Sequence, residues 1–323
     1  MKNKILLLTI VILLLTGFKE SRACNICGGG TSDIAVLALD GRMLFNIGFL
    51  YDHYIGVWDQ NGNWLETQFT ANQYKTSMAF AYRLNKHFQI GLTLPYVFNT
   101  TKNPYAKQSG SGIGDMSIST RYEFFHEFQL RKIGSKKSID SKTPYLALIL
   151  GLTVPTGKSE ESAENEVDIT GKGFYSTNLG LSVTKSIIRS RLQLSADLSW
   201  QHGFSNQYDK YFGQTISPFT KQPGDKINYS MTANYIFGSE HALALTASGF
   251  SQGSYMLDGK SATNSEERNI SFLVAYTYYP HIQFRVTPSI KWSIPTDNFG
   301  RNATGSTTFN INFTYYIPDY SIK

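Results

Sequence analysis

The chain is short of charge. Only 17% of its 323 residues are Asp, Glu, Lys or Arg, against about 25% in an ordinary soluble domain. It holds two cysteines, too few to staple a chain of this length, which excludes a disulfide scaffold. Beyond the N-terminus no apolar run approaches the ~18 residues that a membrane-spanning helix needs. No phosphate-cradling glycine loop and no zinc-binding helix motif occurs. Aromatic side chains, by contrast, make up 14%, with 20 Tyr and 21 Phe, and Gly reaches 27. Disordered chains lack aromatics, so disorder is excluded, and the glycine content excludes a coiled coil. Mean hydropathy is nevertheless negative, at -0.24. The apolar residues must therefore be arranged, not merely plentiful.

Residues 1–23 read as a signal peptide. Lys2 and Lys4 form a basic start, Ile5 to Phe18 an apolar run, and Ser21-Arg22-Ala23 a small-x-small cleavage site. Cleavage after Ala23 would remove Lys2, Lys4, Lys19 and Arg22 against Glu20, which halves the formal net charge of +6. With that charge goes the case for nucleic acid, which needs a clustered basic footprint.

The remaining pattern has a period of two, the signature of strands with one apolar face. In Ile282–Ile294, Ile282, Phe284, Val286, Ile290, Trp292 and Ile294 alternate with Gln283, Arg285, Thr287, Ser289, Lys291 and Ser293. Arg191–Gln201, Ile227–Phe237 and Phe309–Ile317 repeat it. Twelve strands are expected, near 43–53, 74–84, 87–98, 115–125, 145–155, 174–185, 191–203, 226–237, 241–250, 269–279, 281–294 and 307–317. Ordinary strands average about 5–6 residues, whereas a tilted bilayer-crossing strand needs about 9–11. Connections alternate short and long, with long ones after Tyr54, Asn99, Thr156, Phe204, Ser251 and Pro295; the basic stretch His126–Pro144 breaks that alternation. Aromatics gather at strand ends (Tyr51, Tyr54, Tyr122, Phe124, Tyr278, Tyr279), where interfacial girdles sit. An even number of long amphipathic strands behind a signal peptide predicts an all-β fold, a transmembrane antiparallel up-and-down β-barrel of the bacterial outer membrane. Its parts would be a signal peptide (1–23), a periplasmic Cys/Gly-rich segment (24–42) and the barrel (43–323).

Three phrases carry a family resemblance. Ser111–Phe125 (SGIGDMSISTRYEFF), Leu146–Lys158 (LALILGLTVPTGK) and Thr170–Val183 (TGKGFYSTNLGLSV) are similar to motifs of a bacterial family named for the MetA pathway of phenol degradation. That resemblance implies an outer-membrane barrel of the transporter type and brings no binding residues with it.

The polar faces nominate a lumen row that would set selectivity: Lys75, Arg83, Asp115, Arg121, Glu123, Arg191, Asp197, Arg285 and Lys291. Cys24 and Cys27 form a C-x-x-C pair that reads as a disulfide or redox pair, as two ligands of a metal, or, at Cys24, as a lipidation site. His87, His126, His241 and His281 fall on the rim that would also hold the cysteines, which keeps a metal in view. The acidic stretch Glu160, Glu161, Glu164, Glu166 and Asp168 reads as a solvated loop, with a divalent cation as the sharper alternative. Gln201–Gln207 faintly resembles a phospholipase motif. Its His202 and Ser205 lie three apart, however, and three-apart side chains do not share a strand face. The expected function is a channel or transporter for a small solute, not an enzyme and without a cofactor. Partners would be outer-membrane lipid, lipopolysaccharide and the solute. The alternatives are a non-transporting structural or interaction barrel, whose contact surface would include the 203–225 loop, and an outer-membrane lipid hydrolase. The sequence names neither the solute nor the oligomeric state.

Overall fold

The computed structural model describes residues 41–102, 106–124, 130–133, 136–139, 144–187, 191–237, 240–281 and 283–318. The signal-peptide and Cys/Gly-rich readings lie outside them. Twelve strands form one antiparallel up-and-down sheet: β1 (Gly41–Trp58), β2 (Trp64–Arg83), β3 (Phe88–Lys102), β4 (Met116–Glu123), β5 (Tyr145–Val154), β6 (Ser176–Ile187), β7 (Leu192–Gly203), β8 (Lys226–Phe237), β9 (His241–Gln252), β10 (Glu267–His281), β11 (Phe284–Ser293) and β12 (Ala303–Pro318). Each strand pairs with its sequence neighbours, and β1 pairs with β12, so the sheet closes on itself as a twelve-stranded barrel. Among the described residues the one helix is a single 3-10 turn, Glu166–Asp168.

Alternation fixes which face is outside. On β1, Phe45, Ile47 and Phe49 are exposed while Leu44 and Gly48 are buried. Register carries this parity round the ring: Asn46 pairs with Ala79 and Thr314, and Ile47 with Met78 and Phe313. Met231 stands 70% exposed and Leu198 56%, while Thr246, Asn234 and Gln193 are buried inside. Leaving a large apolar side chain in water forfeits about 1.5–3 kcal/mol. A continuous belt of them is stable only where the surrounding medium is itself apolar.

At one rim, the turns that join β2 to β3, β6 to β7, β8 to β9 and β10 to β11 are short. The β4–β5 connection at that rim is long and holds a hairpin of Leu130–Ile133 with Lys136–Ile139; the opposite rim carries the other long excursions, and several of these continue as sheet. β1 and β2 run past the belt to Trp58 and Trp64, closing over Asp59–Asn63 where a long loop after Tyr54 was expected. A register shift at Tyr54/Gly56 and the edge-on Trp58–Trp64 contact at 4.7 Å hold this extension. The Asp59 carboxylate receives both backbone and side-chain N–H groups of Asn63, which hold its pKa below the ordinary value. The 204–225 connection folds into a hairpin, Asn206–Tyr211 with Gln214–Gln222, which pairs with Met256–Leu257. Among the expected girdle residues, Tyr51, Tyr122, Phe124 and Tyr278 lie on the outer side. Tyr54 shares the inward parity of Asp52, and Tyr279 packs on buried Ile236 and Ala242 past an irregularity in β10.

The two faces predict opposite tolerances. Met231→Arg should destabilise the bilayer-reconstituted barrel by about 2–4 kcal/mol, whereas Ser230→Arg, one residue away on the inner face, should cost far less. Urea unfolding in vesicles compares them.

Candidate functional site

Short polar side chains cover the inner wall and bind one another across strands. Thr184 and Ser195 lie 2.9 Å apart, Thr232 and Thr246 2.9 Å, Ser248 and Ser271 3.1 Å, and Thr277 and Thr287 3.2 Å. Asn46 accepts from Thr314 at 2.8 Å, and Asp52 from Thr308. These bonds satisfy the hydroxyls along the wall, so they need not reach toward the axis.

At the short-turn rim, three of the nominated charges gather. Arg83 Nη1 donates to Glu123 Oε2 at 2.8 Å, with the two side chains 1% and 0% exposed. Arg121 Nε lies 3.6 Å from Glu123 Oε1, and its guanidinium sits 5.4 Å from the Tyr145 ring centre. Gln89 donates to the same carboxylate, and Arg83 Nε to the Gly41 carbonyl at 2.9 Å. Burying charges is costly unless they are paired and hydrogen-bonded, and this network provides both. Arg191 stands at the same rim, its carbonyl accepting the Ile236 N–H. Further along the wall, Lys75 faces in opposite Leu50 and Val97, Arg285 opposite Thr314, and Lys291 opposite Thr308 and Leu273. Asp197 accepts the Ser230 hydroxyl at 3.0 Å.

Asp115 serves the loops instead of starting a row. Its Oδ1 accepts Gly157 N–H at 3.1 Å and its Oδ2 Lys172 N–H at 2.7 Å. Thr156 donates to the Gly114 carbonyl and accepts from Met116 N–H. Thr170 donates to the Ile113 carbonyl and accepts from Lys158 N–H. The three similar phrases of the sequence thus converge on one knot around Asp115. Asn99, from the inner face of β3, donates to the Val167 and Ile169 carbonyls and draws the loop against the wall. A side chain at Gly110 would strike the Val167 carbonyl, so that approach requires glycine.

Beyond the knot lies a charged mouth. Lys221 Nζ donates to Glu160 Oε2 at 2.8 Å and sits 5.2 Å from the Tyr255 ring centre and 5.9 Å from that of Tyr208. Burial, then the carboxylates of Glu267 and Glu160, push the Tyr255 hydroxyl up to about 12. Lys226 lies over the Phe250 ring at 3.6 Å and feels the charges of Lys172, Glu267 and Lys291. Of these groups only Lys291 belongs to the nominated lumen row, and Glu160 falls in the acidic stretch read as a solvated loop. Lys226 begins an alternating run with the parity of Asn228, which was a usable signal. Asp52 shares its face with Leu50, and Glu267 precedes the expected start of its strand. Lys172 and Glu160 come from loops, and Lys221 from the hairpin of the 204–225 connection.

The nominated histidines do not assemble among the described residues. His87 Nδ1 meets the Glu123 carbonyl at 2.7 Å, His241 Nδ1 the Tyr276 hydroxyl at 2.7 Å, and His281 Nδ1 accepts Gln283 N–H at 3.3 Å. No group of three or more His, Cys, Asp or Glu that could hold a metal occurs among the described residues. Cys24, Cys27 and His126 lie outside them. His202 stacks on Trp200 and bonds Asp225 Oδ1 at 2.7 Å, and it makes no hydrogen bond with Ser205.

A family model described as "Putative MetA-pathway of phenol degradation" matches residues 53–313. No curated protein matches the chain by sequence. Among solved structures, an outer membrane channel from Pseudomonas putida F1 is similar at a TM-score of 0.69 and 11% identity, covering 90% of this chain and 100% of that one. The translocator domain of the autotransporter NalP from Neisseria meningitidis is similar at 0.49 and 10%, covering 85% and 88%.

Two substitutions separate the two ends. Glu123→Ala should cost about 3–5 kcal/mol, because it strips buried Arg83 of its carboxylate, and should lower the urea midpoint of the barrel. Asp115→Ala removes charge-assisted bonds that contribute about 1.5–3 kcal/mol each. It should raise hydrogen exchange selectively in residues 155–173 while leaving the strands protected.

Proposed function

The chain belongs to the MetA-pathway-of-phenol-degradation family, and from that premise we propose that it is an outer-membrane channel passing a small anionic solute. Residues 1–23 direct its export, and the closed wall crosses the membrane with the apolar belt outside. The observation that carries the reading is the charge at the long-loop mouth. Lys172, Lys221, Lys226 and Lys291 meet there with Glu160 and Glu267, an excess of positive charge above a wall made mostly of hydroxyls and amides.

A monovalent anion about 6 Å from one of these ammonium groups gains roughly 3 kcal/mol at an effective dielectric of about 20. Salt screens that attraction, with a Debye length of ~8 Å at physiological ionic strength. The attraction is strong enough to concentrate anions and weak enough to release them, which conduction requires. Glu160, paired with Lys221, and Glu267 limit the field, so the site selects by charge without trapping its cargo. No reaction is assigned to the chain.

The purified full-length protein in planar bilayers under a KCl gradient should give steps of conductance whose reversal potential lies toward that of chloride. Lys226→Glu with Lys291→Glu should move it toward potassium, a change of about tenfold in permeability ratio, equivalent to about 1.4 kcal/mol. Absence of conductance, or the same selectivity in both proteins, would overturn the reading.

A further inference from the structure

The outer face of β2 and β3 carries a second feature that the lumen does not use. There the pair is continued by the strand Lys107–Ile113, which binds the end of β3. A cleft of about 480 Å³ opens on this outer face at the long-loop rim. Its sidedness follows from parity: Gln73 and Asn99 point inward, and Asn99 holds the loop carbonyls, so the alternate residues point out.

Those outward residues form three rungs whose chemistry changes with height. The lowest is aromatic, Tyr74 beside Phe98, with rings 5.9 Å apart. The middle rung is neutral and polar, Asn72 beside Thr100 beside Ser109. The top rung is cationic: Lys102 stands directly opposite Lys107, with Thr70 at its other side. Below the cleft the outer face of β3 continues as Tyr96, Leu94 and Leu92, all exposed.

Like charges directly opposite one another across strands destabilise the pair. Both lysines are exposed, and neither makes an ion pair among the described residues. A negative group between them would turn that repulsion into attraction. The hydroxyl and amide rung just below offers hydrogen bonds to sugar or phosphate oxygens, and the apolar track beneath fits acyl chains. A soluble anion would use the top rung alone. The whole gradient matches an amphiphile with a phosphorylated sugar head and hydrocarbon tails.

We infer that this cleft binds one phosphorylated glycolipid of the outer leaflet, with its phosphate between Lys102 and Lys107 and its acyl chains along Tyr96, Leu94 and Leu92. The inference rests on the outer-membrane placement proposed above but not on conductance. The bound lipid would also brace the rim next to the loop knot, since inner Asn99 and outer Thr100 are consecutive residues.

The test is native mass spectrometry of the full-length protein released from detergent, with lipid A as the probe. One lipid A should be retained per barrel. The Lys102→Glu/Lys107→Glu protein should retain at least tenfold less, and Lys102→Arg/Lys107→Arg should retain the wild-type amount. Excess inorganic phosphate should leave the lipid bound, and phosphatidylcholine should not be held at that stoichiometry. Equal retention by the wild-type and the Glu protein would overturn the inference, as would equal retention of phosphatidylcholine. Complete displacement by inorganic phosphate would assign the lysines to a free anion and likewise overturn it. The heat-dependent gel shift of a folded barrel confirms that each variant has folded. Loss of conductance with lipid A still held would count against the channel alone; conductance without lipid A retention would count against this site alone.

Discussion

Every strand of this protein depends on a hydrogen-bond ladder that has no loose end. In a bilayer core no water is present to satisfy a stray N–H or C=O, and each unsatisfied group costs several kcal/mol. The β1–β12 pairing, which runs from Gly41 against Pro318 to Trp58 against Ala303, meets that demand by removing the last two edges. Closure also locks parity. A slip of one residue in any register would turn Phe45, Ile47 and Phe49 into the lumen and Asn46 and Gly48 onto the lipid. The wall chemistry, the buried ion network and the outer cleft all inherit their sidedness from that one constraint.

The barrel was legible because parity is a local property of sequence. Lys226–Phe237 appears with the bounds its alternation implies, and twelve strands were countable from twelve alternating runs. What escaped was where strands outlive their alternation. β1 and β2 continue to Trp58 and Trp64 because cross-strand pairing and a Trp–Trp contact hold them, interactions between residues whose partnership is fixed only by the fold. The same reason hid half of the mouth. A loop lysine such as Lys172 has no parity, and Lys221 sits on the hairpin strand Gln214–Gln222, which no alternating run announces; their positions depend on the Asp115 knot and on Glu160. Asp115 itself was placed among the lumen charges by its parity, yet its two carboxylate oxygens are taken by backbone N–H groups.

The two ends of the lumen treat charge differently for physical reasons. At the short-turn rim, Arg83, Arg121 and Glu123 are almost fully buried and mutually bound, so their charge goes into holding structure. At the long-loop mouth the charges are partly solvated and positive groups prevail, leaving a net field toward the outside. Between them the wall is mostly hydroxyls and amides that pair across strands, with Lys75 and Asp197 set among them.

The central claim is that one residue in two along each strand faces lipid and the next faces an aqueous lumen. Spin labels at single cysteines from 227 to 233 on β8, with Cys24 and Cys27 replaced by Ser and the protein reconstituted in phosphatidylcholine vesicles, test it most directly. Labels at Ile227, Tyr229, Met231 and Ala233 should collide preferentially with oxygen, and those at Asn228, Ser230 and Thr232 with a water-soluble nickel chelate. Collision rates that lack this period of two, or that invert it, would contradict the barrel described above.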